Sequence, residues 1–282
     1  MPASSSSTAA PTFRSRIGCD ARSGYYAVPR RYRLHLSLSC PDCLRIAVTH
    51  SLLALDDTLP VTLLSAVPDG PEGGHLALRP LYAAGAHQHR GPTPAPVLSD
   101  GWTGTIVSTH TPDILRDLAR RFGDQGPDLD PRDAEEAIEA IGRLCEQDIT
   151  AAAQRAGEPG TDPVARATAL TTLFDALDHL EARLGDRDRL IGDDITLADV
   201  QVWVTLVQLD TVHRHHLDAA AVHRITDHPR LWAYARRLTA RPAFGRHLDL
   251  DGIARRHHAH CRGEEAAGAA VQIVDWAAHA RP

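Results

Sequence analysis

The chain has 282 residues, 43% of them hydrophobic, and a formal net charge of −6. That length and composition suit two domains with proper cores, and the acidic balance, with no basic block interleaved with aromatics, argues against nucleic acid as the main partner. No apolar run approaches the ~20 residues that cross a bilayer, and five cysteines over this length make no disulfide framework.

A reducing, cytoplasmic setting is therefore expected, with no membrane partner. The first residues, MPASSSSTAAPT, are small and polar and read as a disordered leader, not a secretory signal. Every basic residue other than histidine is Arg, which together with abundant Ala reflects GC-rich coding. Residues 1–30 are expected to form an N-terminal arm. From Tyr32 to Ser39 the chain alternates, with Leu34, Leu36 and Leu38 on one face, as a half-buried strand should. Pro41 then suits a first helical turn, and Leu44, Ala47, Val48, Leu52 and Leu55 recur at helical spacing. Leu59–Ala66 reads as a second strand. Residues 67–95, rich in Gly, Pro and His, read as a long loop. Ala95–Asp100 and Gly104–Ser108 read as two short strands joined by a turn at Gly101–Gly104. A helix follows over Thr111–Phe122, with Thr111 as N-cap before Pro112.

The order β-α-β-loop-β-β-α fills residues 31–123, and 124–131 read as a linker. Beyond it nothing alternates at period two. Amphipathic helices are expected over 131–156 and 163–185, and a buried one over 193–217, opened by Thr196 and Asp199 as a capping box variant and by Ile195 and Val200 as a hydrophobic staple. A further helix covers 227–244. This all-helical region spans 132–247, and an irregular tail spans 248–282.

A small β-α-β…β-β-α unit with a Cys-Pro junction, followed by an all-helical half with a capped central helix, resembles a glutathione transferase. RYRLHLSLSCP, LADVQVWVTLVQLDTVHRHHL, HRITDHPRLWAYARRL and LDGIARRHHAH, in that order with the two short strands, resemble the glutathionyl-hydroquinone reductases, or Xi class. The resemblance runs from about Phe13 to Arg262. It implies a thioredoxin-like α/β domain followed by a glutathione-transferase-type all-α domain, a homodimer, and reduction of glutathionyl-hydroquinones. In that chemistry a cysteine takes glutathione from the substrate as a mixed disulfide and a second glutathione clears it.

Cys40 lies where the first helix begins. Unsatisfied N–H groups and the helix dipole there favour thiolate, an effect that lowers a thiol pKa from ~8.5 into the range of roughly 3.5–7.5. Thiolate is the form that attacks sulfur or carbon, and the resemblance also puts the nucleophile at Cys40. Cys43 completes a CxxC. It is either a small core residue standing where the family has Ala or a resolving thiol that would close an internal disulfide. Asp42 replaces the family's Trp and opposes thiolate formation, with Arg45 placed to offset it. A zinc site from Cys40 and Cys43 lacks further ligands at suitable spacing; the histidines of HRHH and HHAHC read as surface or packing residues, and no metal is expected.

The resemblance further implies a thiol-binding wall. Ala95-Pro96-Val97 fits the family's cis-proline pattern, with Val97 pairing by backbone with the thiol's cysteinyl part. The family's Glu-Ser pair, which grips the γ-glutamyl group, is here His110-Thr111. Losing a carboxylate that pairs with an ammonium costs ~3–5 kcal/mol in unfavourable cases. Glutathione should therefore bind poorly, and a thiol lacking that ammonium, such as mycothiol, is an attractive replacement. On the electrophile side, family tyrosines give way to Gln154, His213 and Arg256-His257-His258, so His213, His257 and His258 are expected to contact an aromatic or quinone-like substrate. The reading is a cysteine-dependent thiol transferase or reductase; a CxxC disulfide reductase and a non-catalytic binding protein on the same scaffold stand as alternatives.

Overall fold

The computed structural model describes residues 13–85, 89–123, 126–185, 187–261 and 272–279. The serine-rich leader and parts of the expected loop, linker and tail lie outside these residues. The chain divides into two compact units, Met1–Gly126 and Pro127–Pro282.

The first unit is built on a sheet of β1 (Tyr32–Leu36), β2 (Val61–Leu63), β3 (Val97–Asp100) and β4 (Thr105–Ser108), in the order β2-β1-β3-β4. β1 pairs parallel with β2 and antiparallel with β3, which pairs antiparallel with β4. The parallel pair requires a crossover, supplied by helix α1 (Pro41–Leu52). The expected strand from Tyr32 to Ser39 ends early. Ser37 and Ser39 donate their hydroxyls to the carbonyls of Ser65 and Ala66, and the Cys40 N–H turns back to the Ser37 carbonyl at 2.9 Å. Such local bonds compete with a ladder, so Leu38 leaves the strand and is only half-buried, while Leu34 and Leu36 are buried.

The supposed loop 67–95 carries a helix, α2 (Arg79–Gly85). It brings Leu78 and Tyr82 against Val97 and Ile106, on the sheet face opposite Leu34 and Leu98 by alternation. Phe13 joins this cluster edge-on to Tyr82, 5.8 Å between ring centroids. The arm continues past Phe13 along β4: Ser15 N–H reaches the Val107 carbonyl at 3.0 Å and Thr109 N–H the Phe13 carbonyl at 2.9 Å. Arg31 and Asp100 form a buried ion pair at 2.9 Å, and Asp100 also accepts from the Trp102 N–H. Burial would raise the Asp100 carboxyl, but Arg31 and Trp102 outweigh it and hold it below its ordinary value. Helix α3 (Thr111–Asp117) continues as a wider turn to Phe122. Its N-cap is His110, not Thr111, which is the first helical residue.

The second unit is helical: α4 (Glu135–Arg143), running through a wider turn into α5 (Ala151–Gly157), then α6 (Pro163–Leu184), α7 (Leu197–Thr211), α8 (Ala219–Thr226), α9 (Pro229–Thr239), α10 (Pro242–Gly245), α11 (Leu250–His260) and α12 (Trp276–His279). α7 is buried along most of its length. Its Trp203 stacks edge-on with Phe244 at 5.2 Å and donates to Thr239 Oγ1 at 2.9 Å. At its start the Asp199 carboxylate accepts from the Thr196 N–H at 2.8 Å and from the Tyr234 hydroxyl. At its end the buried Asp210 carboxylate receives Ile273 N–H, Val274 N–H and Trp276 Nε1 at 2.9–3.0 Å. Two expectations need correction here. The helix expected to run through Leu217 stops at Thr211, with His213–His216 in a separate 3-10 turn. The tail is not wholly irregular, since α11 is capped by Asp249, whose side chain accepts from the Gly252 N–H.

Candidate active site

Sheet register brings the expected residues of the first unit to one edge. β1 runs from Tyr32 toward the Cys40 corner, and its penultimate residue, His35, faces Val97 at the start of β3. Leu98 in turn faces Ser108 at the end of β4, from which the chain passes to His110 and Thr111. Cys40, Pro96, Val97, His110 and Thr111 therefore share the sheet end at which β1 stops. The Ala95–Pro96 bond is cis. Pro96 and Val97 are buried.

Cys40 is the N-cap of α1, in extended backbone conformation, and its carbonyl accepts the Leu44 N–H at 2.9 Å. It makes no side-chain capping bond, and it is 9% exposed against 0% for Cys43. The two thiols touch. Burial pushes the Cys43 thiol well up, and the hydrogen bond and charge of Cys40 raise it further, because Cys43 S–H donates to Cys40 Sγ. In this pair Cys43 keeps its proton. Asp42 is neutralised locally by Arg45, 2.7 Å away.

At α3 the pattern is richer than its sequence suggested. His110 Nδ1 lies 2.9 Å from Asp113 Oδ2, and the arm adds Arg14 to Asp113 at 3.0 Å and Arg16 to Asp117 at 2.6 Å. Burial would raise the Asp113 carboxyl, but the Arg14 bond and the charges of His110 and Arg16 hold it below its ordinary value. Arg14 and Asp113 were not anticipated in this role. They lie 99 positions apart, and no local pattern links them.

Known proteins bear on this arrangement. A family model described as "Glutathione S-transferase, C-terminal domain" matches residues 135–237. The glutathionyl-hydroquinone reductase PcpF of Sphingobium chlorophenolicum is 29% identical over 77% of this chain and 73% of its own. The glutathionyl-hydroquinone reductase YqjG of Escherichia coli is 27% identical over 83% of this chain and 76% of its own. The crystal structure of the Xi glutathione transferase of Phanerochaete chrysosporium superposes with a TM-score of 0.75 at 26% identity, covering 89% of this chain and 86% of that one. Residues 135–237 thus match a glutathione transferase domain, and the chain as a whole is similar to members of that superfamily. Its likeness is to the Xi class, and its fold is that of the superfamily, a thioredoxin-like unit followed by a helical one.

In the helical unit, the expected substrate-side histidines are brought together only in part. His213, His216 and His257 lie close together, with 5.0 Å between the last two rings, and His215 stacks on His257 at 5.6 Å. Burial, then the neighbouring His216 and His257, push His213 down to about 4. His258 is exposed, its ring 6.0 Å from that of His257. A cleft of about 500 Å³ lined by Gln154, Gly157, Glu158, His213 and His216 opens beside the cluster. Cys261 Sγ approaches His216 Nε2 at 3.5 Å. The HRHH and HHAHC segments thus meet each other within this unit. The i,i+4 spacing of His257 and Cys261 was the legible sign, since residues four apart share a helix face.

Proposed function

We propose that the chain is a cysteine-dependent thiol transferase or reductase acting on an aromatic or quinone-like thioether, in the reducing cytosol and as a homodimer. Relatives named glutathionyl-hydroquinone reductases support the reaction class. The observation that carries the reading is a cysteine at the head of α1 that receives a neighbour's S–H. Both the helix N-terminus and that donor stabilise negative charge on Cys40 Sγ.

In the first step the Cys40 thiolate attacks the sulfur of the substrate thioether. A Cys40–S–S–thiol bond forms and the carbon–sulfur bond breaks. The ring carbon takes the electron pair and a proton, so the aromatic is reduced by two electrons. In the second step an external thiolate attacks the mixed disulfide, leaving as a symmetrical disulfide and regenerating Cys40. Cys43, wholly buried and holding its proton, is assigned here as a hydrogen-bond donor to Cys40 and not as the resolving thiol.

Pro96, Val97 and Thr111 are proposed to form the thiol wall, and His213, His257 and His258 to contact the acceptor. With His110 in place of a carboxylate and Asp113 already engaged by Arg14 and Arg16, neither position offers an acid to a γ-glutamyl ammonium. A thiol without that group, such as mycothiol, fits the wall better than glutathione. Intact-mass analysis after exposure to glutathione disulfide and to mycothiol disulfide tests the reading. A single adduct on Cys40, larger in yield with mycothiol, is expected. No adduct with either would reject the cysteine mechanism, and preference for glutathione would reject the choice of thiol.

A further inference from the structure

We propose that His216, His257 and Cys261 form a binding site for a zinc ion in the helical unit. The site goes beyond the Cys40 chemistry, whose bond-making steps need no metal, and shares with it only His257. Two imidazoles and a thiolate are a donor set for borderline and soft metals, and they suit zinc rather than magnesium or calcium.

The geometry is already close to what a tetrahedral ion needs. The candidate ligand atoms all lie within 4.8 Å of one another. With bonds of about 2.0–2.3 Å, a tetrahedral zinc site has ligand-to-ligand edges of about 3.3–3.8 Å. The Cys261 Sγ to His216 Nε2 edge stands at 3.5 Å, so only His257 would need to close in. His257 and Cys261 are held at a fixed spacing by the helix end, where the Cys261 N–H donates to the His257 carbonyl at 2.7 Å. His216 comes from a different segment, the turn after α7. It can approach because residue 157 is glycine: a Cβ there would lie 2.6 Å from His216 Cβ.

All three ligands are half-buried, so an ion has a route in, and the adjoining cleft gives a fourth position to solvent. Three protein ligands and one open position are the pattern of a reactive zinc rather than a sealed structural one. With the ion in place His257 is taken as a ligand, and the acceptor contacts fall to His213 and His258.

The test uses the full chain, stripped with chelator and titrated with Co²⁺ and then Zn²⁺. One Co²⁺ per chain is expected, with a sulfur-to-cobalt charge-transfer band that Zn²⁺ abolishes. The band should be lost in Cys261→Ser and kept in the Cys40→Ser, Cys43→Ser double variant. Zinc should raise the melting temperature of the unmodified chain and leave that of Cys261→Ser unchanged. If Cys261→Ser fails to fold by circular dichroism, His216→Gln, on a separate segment, serves instead, with weakened cobalt binding expected. Absence of stoichiometric metal, a band that survives in Cys261→Ser, or one that disappears only in the double variant would each overturn the proposal.

Discussion

At the scale of single residues, Cys43 is where sequence and structure part most usefully. The CxxC spacing left its role open, because a resolving thiol and a packed one look alike in a string of letters. Full burial and an S–H directed at Cys40 favour the donor role. Cys43→Ala should therefore retain turnover with an external thiol while moving the pH profile of Cys40 alkylation by iodoacetamide to higher pH, and Cys43→Ser, which keeps a donor, should shift it less. Loss of turnover in Cys43→Ala would restore the internal disulfide. His110 gives a second prediction. Supplying a carboxylate at this position offers an ammonium a charge-assisted partner, worth about 1.5–3 kcal/mol, so His110→Glu should tighten glutathione binding about tenfold or more by calorimetry. Cys40 itself was legible because a Cys-Pro pair after an alternating stretch marks a strand-to-helix corner. The Arg14–Asp113 pair beside His110 was not, since only the fold brings two residues 99 positions apart together.

Among elements, the helices announced themselves by caps and periodicity, and the misreadings have local causes. Leu38 kept the alternation going past the point where serine hydroxyls take over the backbone's bonding. α2 and α11 were hidden by Gly, Pro and His in and around them, residues that weaken a helical pattern without preventing a tertiary core from imposing one. α7 was clear because Thr196 and Asp199 stand three apart before a long apolar run. Asp199 does more than cap: it also takes the hydroxyl of buried Tyr234. Asp199→Ala removes the cap and leaves that hydroxyl unpaired, so about 2–4 kcal/mol of stability should be lost in urea unfolding. A loss below the lower bound would mean that Tyr234 finds another partner.

For the molecule as a whole, the two-part organisation was readable from the change of period near residue 123, whereas the order of strands in the sheet was not readable from segments only three to five residues long. Stability against pH can be predicted for the first unit. Burial and then Arg33 push His35 down to about 4. An unfolded chain protonates this histidine near its ordinary ~6.5, so protons favour the unfolded state between about 6.5 and 4. Folding stability should fall as pH drops through that window, and His35→Gln should flatten the slope there. Asp100 and Asp113, held below their ordinary values, act at lower pH. Their contribution is complete above about 4 and is lost as pH falls through their folded values. Arg31→Ala should cost about 3–5 kcal/mol by leaving the Asp100 carboxylate buried without its cation, measurable as a lower urea midpoint.

Asp210 carries a practical consequence for anyone shortening this polypeptide. Residues 273–276 look dispensable on paper, a short stretch near the far end of a long chain. Yet they saturate an inward-facing acid with donors and seat Trp276, which is fully enclosed. Cutting the chain at position 271 would strip those donors from the acid and vacate the indole's place in one stroke, so the trimmed product should express poorly or precipitate even though every reacting group is still encoded.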